Sequence, residues 1–477
     1  MRGILAIFLF VYHCGFGQSG IGFVIDDAPS DQDTQKRTLQ THTSVLPLIR
    51  QTTIGICRGR RKDSSFLAVS AIGEAGFRYG ETSQYRFGAG ILLESAIKDK
   101  WAFRVGAIEG IGLSDSIYAP KSYFSSPLKN NTLYTDVRAR IGYTPNAIFN
   151  FQVGLDHNFI GEGSRSLFLS DYGKPYPFGQ IRATFWRLEY TVLYQFFREQ
   201  KNDKWFLKNG ATHHISFNAA KWLNIGVFET VIFQPKDTAL RRGYEVEYLN
   251  PVIFYRPQEY ALGSSDNVLI GASFSAHIKS HTIYGQLILD EFFLTEIKNK
   301  TGWWANKYGG QIGVKGNIDA GKAHWFYRLE YNAVRPFTYS HLNNGQNYGN
   351  QGMTLAHPYG SNFMELLGEV KARKDRLSAS LFMSYFLRGY DKEGSSFGGN
   401  IYVPYTYRKA DYGNYIGQGL GNNGIRTILT ISYLVAKQGN LQAFIEQQFR
   451  YDSAFDRYSY FPMIGIRSQL WNDRRNY

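Results

Sequence analysis

Residues 147–157 read Ala-Ile-Phe-Asn-Phe-Gln-Val-Gly-Leu-Asp-His, and apolar and polar side chains alternate through them without a slip. Ala147, Phe149, Phe151, Val153 and Leu155 fall on one face; Asn150, Gln152, Gly154 and Asp156 fall on the other. Successive side chains of a strand point to opposite sides of its sheet, so this run is a strand with one apolar and one wet face. The pattern recurs. Leu133–Tyr143 sets Leu133, Thr135, Val137, Ala139, Ile141 and Tyr143 against Asp136, Arg138 and Arg140. Trp186–Phe196 sets Trp186, Leu188, Tyr190, Val192, Tyr194 and Phe196 against Arg187, Glu189 and Gln195. His324–Ala333 sets Trp325, Tyr327, Leu329 and Tyr331 against Arg328, Glu330 and Asn332, and Leu441–Phe449 is a weaker version with Glu446, Gln448 and Arg450 on the wet side. Alternating segments of about ten residues separated by turns are what a transmembrane β-barrel requires. A soluble sandwich alternates too, so composition decides.

Tyr (34), Phe (35) and Trp (8) make 16% of the chain beside 49 glycines, with only 14 prolines and 2 cysteines. Aromatic girdles at two lipid interfaces use such a surplus, whereas a soluble core rarely needs so many tyrosines. After the first twenty residues no run approaches the roughly 18 apolar residues of a spanning helix. Any membrane crossing is therefore by strands. A mean hydropathy of -0.32 agrees, because only alternate residues of a barrel strand touch lipid.

Met1-Arg2 and the apolar Gly3–Tyr12 form a short signal peptide, with Gly15-Phe16-Gly17 at the cleavage positions and Gln18 as the expected mature start. Cys14 raises a lipoprotein alternative, but Val11-Tyr12-His13 is bulky where such a signal ends in small residues. Loss of Cys14 leaves Cys57 alone, without an internal disulfide. Formal net charge is +14, or +13 once Arg2 is removed. Apart from Arg58-Gly59-Arg60-Arg61-Lys62 the basic residues are scattered singly, which speaks against a nucleic-acid surface and for a cationic lumen or rim facing lipopolysaccharide or acidic glycans.

The expected organisation is a signal peptide over 1–17, a polar extension or plug over 18–65, and an outer-membrane barrel over 66–477. Strand-like runs from Phe66 onward predict 16–18 antiparallel strands, an even number, with eighteen as the central value. Polar segments at about 111–131, 157–180, 234–265, 336–362 and 389–424 read as long extracellular loops, and Phe461–Trp471 as the closing strand.

Four further stretches carry a resemblance. They are the block from Leu249-Asn-Pro-Val-Ile-Phe-Tyr-Arg-Pro-Gln-Glu-Tyr to Gly271, the runs Tyr284–Phe292 and Gly302–Gly313, and His357-Pro-Tyr-Gly-Ser-Asn-Phe363. Over these 115 residues, 249–363, the chain resembles the gliding-motility-associated outer-membrane proteins of the RemB type from Bacteroidetes, similar in outline to the Wzi-type capsule-assembly barrels. The resemblance implies a Gram-negative outer-membrane barrel serving gliding or surface-polysaccharide assembly, partnered by surface polysaccharide and by gliding or capsule machinery. It supplies no catalytic residue.

Within that block Arg256, Glu259, Asp266, Asp290 and Glu291 read first as a brace of opposite charges holding a loop in the lumen, and second as a ring of ligand contacts. Trp303 and Trp304, followed by Asn306 and Lys307, form a sugar-stacking platform on one reading and part of an interface girdle on the other. His214-x-Ser216 has the spacing of outer-membrane phospholipases, but His214, Ser216 and Asn218 share a lumen-side face, where a lipid hydrolase would need its nucleophile toward the bilayer. Adjacent His213-His214 diverge, and His277 and His281 suit a helix rather than a strand, so no metal ligand set forms. Adjacent Asp290-Glu291 also diverge, so a glycosidase pair would need Glu259 as its second member. Gly417-Gln-Gly-Leu-Gly421 lacks the strand and helix of a dinucleotide fingerprint and reads as loop. The expectation is a barrel without enzymatic activity, cofactor or metal. The rival is a selective porin in which Arg138, Arg140, Arg187 and Arg328 line an anion-attracting channel.

Overall fold

The computed structural model describes residues 17–24, 38–55, 65–79, 84–98, 100–113, 124–127, 131–201, 204–235, 246–249, 266–436 and 440–468. The cleavage region 1–16, Arg58–Lys62, Arg256 and Glu259 lie outside them. Eighteen strands close into one antiparallel barrel. They are β1 (Phe66–Arg78), β2 (Gln84–Ile97), β3 (Trp101–Leu113), β4 (Asn131–Tyr143), β5 (Phe149–Asp156) and β6 (Tyr176–Phe185), then β7 (Leu188–Lys201), β8 (Lys204–Ala220), β9 (Leu223–Phe233), β10 (Asn267–Ile278), β11 (His281–Glu291) and β12 (Lys307–Ala320), and finally β13 (Ala323–Val334), β14 (Phe363–Lys374), β15 (Leu377–Tyr390), β16 (Leu420–Ala436), β17 (Leu441–Asp452) and β18 (Arg457–Ser468). Each pairs with its sequence neighbour, and β18 closes on β1 by laying Met463–Arg467 against Arg78–Glu74.

An even number of strands leaves both ends of the barrel sequence at one rim, and several two-residue turns share it. Trp186 (φ 53°), Lys279 (φ 53°), Gly321 (φ 63°) and Asp375 (φ 53°) take the left-handed backbone that two-residue hairpins need. Trp186 thus belongs to the turn, and its strand starts at Leu188, because the chain must reverse before it can alternate again. The opposite rim, extracellular in barrels of this class, carries 157–175, 335–362 and 391–419, together with the described residues 234–235 and 246–249. It also carries an unexpected long segment, 292–306, which contains the single-turn helix α1 (Leu294–Lys298). The closing strand begins at Arg457, four residues before the expected start.

Alternation fixes the two faces. Phe149, Phe151 and Val153 are 40%, 41% and 56% exposed while Asn150, Gln152 and Asp156 are buried. Leu329, Tyr331, Leu366, Tyr385, Ile431 and Ile464 stand outward in the same way, a band of apolar side chains that water would not tolerate and hydrocarbon covers. One stretch of the outer wall departs from this. Tyr194, Ala211, Val231, Phe233 and Val268 share the outward face of β7–β10, yet Tyr248 from the 246–249 turn packs on them, and the Tyr194 hydroxyl donates to Leu249 O at 2.9 Å. Here protein replaces lipid.

Leu329 lies midway along β13 and points outward. Leu329→Arg is expected to lower stability by about 2–4 kcal/mol, as for a cation near the bilayer midplane, in urea titrations of the barrel in phospholipid vesicles. Leu329→Met should stay within about 1.5 kcal/mol of the parent.

Candidate functional site

Many inward positions of β11–β15 are polar, and buried inside the barrel their charges need partners. The 157–175 segment turns into the lumen and supplies them. Glu330 on β13 accepts the backbone N–H groups of Ser164 (2.8 Å) and Arg165 (3.2 Å), the Tyr284 hydroxyl (2.7 Å) and the Asn332 amide (2.9 Å). Two successive amides aimed at one carboxylate form a small anion nest. Gly163 lets them approach, since a Cβ there would collide with the Glu330 carboxylate and with Arg165 O. Gln286 accepts Leu167 N–H at 2.8 Å and donates to Ile160 O at 3.1 Å, while Lys315 binds Glu162 at 2.9 Å. Leu167, Phe168 and Leu169, fully buried, then join Phe228, Ile232, Leu269, Ile288 and Phe386 in an apolar core inside the barrel.

The 335–362 segment meets the first one in the lumen. Tyr339 donates its hydroxyl to Leu167 O at 2.8 Å, and Ser170 donates to Ala356 O at 2.6 Å. The stretch His357–Phe363 is its anchor. His357 Nδ1 accepts Tyr359 N–H at 3.1 Å, so Nε2 carries the proton and donates to Glu365 Oε2 at 2.8 Å. Burial pushes His357 down to about 4 against the pull of that carboxylate, so the imidazole is neutral at pH 7. Its ring stacks on Phe363 at 4.1 Å. Gly360 takes φ +69°, Ser361 Oγ donates to Gly398 O, and Asn362 donates to Gly389 O and Gln418 O and accepts Gly417 N–H. Arg165 completes the joint with a buried ion pair to Glu365 at 3.3 Å.

Residues 38–48 also run through the lumen. Asn218 donates to Leu39 O and Thr41 O, Arg182 to Val45 O, and Val45–Leu46 pair with Phe159–Ile160. The strands Gly17–Val24 and Leu48–Gly55 pair antiparallel beside β2 and β3.

Of the residues expected at a brace or ligand ring, Asp290, Glu291 and Lys307 come together. Lys307 Nζ lies 3.0 Å from Asp290 and 3.1 Å from Glu291, and Asp290 also accepts Tyr339 N–H at 2.9 Å. Lys307, expected as a sugar anchor, is the counter-ion of the brace. Asp266 stands apart at the rim of β10, accepting the Tyr248 hydroxyl (2.8 Å) and the Gln346 amide (2.9 Å). Trp303 and Trp304 are not a girdle, because both sit in the 292–306 segment among loop residues. Trp304 has Tyr405 at 4.7 Å and Arg408 over its ring at 4.2 Å, which leaves little face for a sugar. Asn306 accepts Phe293 N–H at 2.7 Å.

Sequence reasoning missed Arg335, which ties three loops by donating to Asn306 O, Trp303 O and Asn414 O. It also missed Arg165 and Glu162; neither sits in an alternating run, so nothing local marks them. The arginines of the porin reading are engaged: Arg138 with Asp136, Arg328 with Glu369, and Arg187 with Ala219 O. Arg140 has four acceptors, Asp156, Gln152, His157 O and Asn158. Ser216 is buried on the lumen side and bonded at 2.8 Å by His42 rather than by His214. No cluster of three metal-ligating side chains occurs among the described residues.

No family model and no curated protein matches the chain. Solved structures do. Wzi of Escherichia coli, described as an outer-membrane protein involved in group 1 capsule assembly and a carbohydrate-binding β-barrel, superposes with a TM-score of 0.55 at 14% identity over 84% of this chain and 83% of that one. The fold is that of an outer-membrane barrel. OprD of Pseudomonas aeruginosa (TM-score 0.44, 12% identity, 84% and 92% covered) and OccAB4 of Acinetobacter baumannii (TM-score 0.45, 8% identity, 86% and 98% covered) are more distant.

Glu365→Ala strands the buried Arg165 guanidinium and is expected to loosen the lumen segments by about 3–5 kcal/mol. Hydrogen exchange read by mass spectrometry should show faster exchange over 160–169 and 355–362, with β12–β14 amides unchanged. Gly163→Val should have the same signature over 162–167 alone.

Proposed function

We propose that this chain is a non-conducting outer-membrane barrel that holds surface polysaccharide at its long-loop rim and serves the assembly of that polysaccharide, without catalysing a reaction. One observation carries the reading: Tyr407, Tyr412 and Tyr415 are 65%, 57% and 64% exposed on the 391–419 loop. That loop is braced rather than loose. Trp304 N–H donates to Asp411 O, Gly413 N–H to Thr301 O and Asn414 N–H to Gly302 O, each at 2.8 Å. Exposed aromatic rings on a fixed support suit the apolar faces of pyranoses, while their hydroxyls stay wet. The likeness to a carbohydrate-binding capsule-assembly barrel supports the same reading.

The resemblance of 249–363 to gliding-associated proteins adds surface gliding as a process such a barrel would serve. Its neighbours would then be outer-membrane lipid, lipopolysaccharide and the proteins of the capsule or gliding machinery, with no nucleic acid among them. The porin reading loses support from the engagement of Arg138, Arg140, Arg187 and Arg328 and from the lumen segments that cross the barrel.

A deletion strain should lose retained surface glycan, measured by dye binding and by colony spreading; wild-type behaviour in both would sink the proposal. Replacing Tyr407, Tyr412 and Tyr415 together by alanine should weaken retention of surface glycan by the purified barrel at least about tenfold, each ring contributing about 0.5–1.5 kcal/mol.

A further inference from the structure

Two arginines inside the barrel stand apart from all those above. Arg388, near the long-loop end of β15, and Arg426, on the neighbouring β16, point inward and converge on one ring. Their guanidinium carbons lie 5.5 Å and 5.3 Å from the centroid of Tyr359. Arg388 also lies 4.8 Å from Tyr390, and Arg426 5.4 Å from Phe386. Yet neither donates a hydrogen bond or enters an ion pair among the described residues, and the Nε of each is buried without an acceptor. The Tyr359 hydroxyl between them is likewise buried and unpartnered.

The nearby carboxylates are taken. Glu365 is bonded by His357, Arg165 and Ser384, and Asp452 by Arg450 and Asn422. Cation-π contact offsets part of the cost of bringing two guanidinium groups together, but it leaves their forked N–H donors unused. Unsatisfied buried donors beside partly exposed ones, around a shared ring, mark a place built for an absent acceptor.

We infer that Arg388, Arg426 and Tyr359 form a subsite for the carboxylate of an acidic saccharide at the extracellular end of the lumen. The inference rests on the glycan-holding function proposed above and gives that glycan a charge. A uronate carboxylate fits the guanidinium fork bidentately, while its ring lies along the aromatic walls of Tyr359 and Tyr390. Arg388 lies two residues from the long-loop end of β15 and Arg426 six residues from that of β16, so a chain held by the rim tyrosines reaches the site without traversing the barrel.

The test is calorimetric titration of the folded full-length barrel in detergent with an alginate tetrasaccharide, maltotetraose and inorganic phosphate. Arg388→Gln/Arg426→Gln should weaken the uronate tetramer at least about tenfold, the worth of one charged hydrogen-bonded contact, and leave maltotetraose unchanged. Arg388→Lys/Arg426→Lys, which keeps charge and loses the fork, should fall between. Heat-modifiable electrophoretic mobility checks that each variant is folded. Equal uronate binding by parent and glutamine variant overturns the arginine site while leaving the rim tyrosines as glycan contacts. Phosphate binding lost in the variant, with no uronate bound by either form, overturns the saccharide assignment. Binding of neither anion by the parent overturns the subsite altogether.

Discussion

A strand in hydrocarbon can place its backbone N–H and C=O groups only on another strand, and the sheet must therefore close. The pairing of Met463–Arg467 with Arg78–Glu74 completes that closure, and the remaining features follow from it. A closed antiparallel sheet has one outside and one inside, so a period of two divides every strand into lipid-facing and lumen-facing halves. Eighteen strands enclose a lumen too wide for wall side chains to fill. Chain from elsewhere or water must occupy it.

The chain itself occupies it. Glu330 and Glu365, buried on the inner wall, would be costly as bare charges. Beside neighbours on the wall, their partners are backbone amides, a neutral histidine and Arg165, delivered by loops that fold inward. The same contacts that neutralise the wall fix the loops, and the fixed loops brace the rim through Arg335 and Asn362. Arg388 and Arg426 are the exception, since their neighbours offer aromatic faces and no acceptor. Structure and binding therefore divide the charges between them: paired groups hold the plug, and the unpaired ones face a ligand.

Much of the wall was legible in the sequence because it is encoded locally. The run at Ala147–His157 shows which side chains face out, and Phe151 and Gln152 stand as that run dictates. The short helix α1 hid itself, since Phe292, Phe293, Leu294 and Ile297 extend the apolar texture of β11 and mask the loop between them. The lumen contacts were illegible for a different reason. Arg165 and Glu365 stand 200 residues apart, and no local period links them. Nothing local marks the stretch His357–Phe363 beyond its resemblance to other proteins. Its physical purpose, a histidine tautomer, a left-handed glycine and an asparagine bridging three turns, exists only once the loop is inside the barrel. The charges of Asp290 and Glu291 point to a brace, but nothing local pairs them with Lys307, which comes from the next strand.

The barrel is filled by its own loops, held there by Glu330 and Glu365. Single-channel recording of the full-length protein in planar bilayers reads that filling without an intermediary. The parent protein should show no steady conductance at moderate voltage, and ohmic openings should follow replacement of both carboxylates by alanine. Steady, voltage-independent conductance from the parent protein would contradict it.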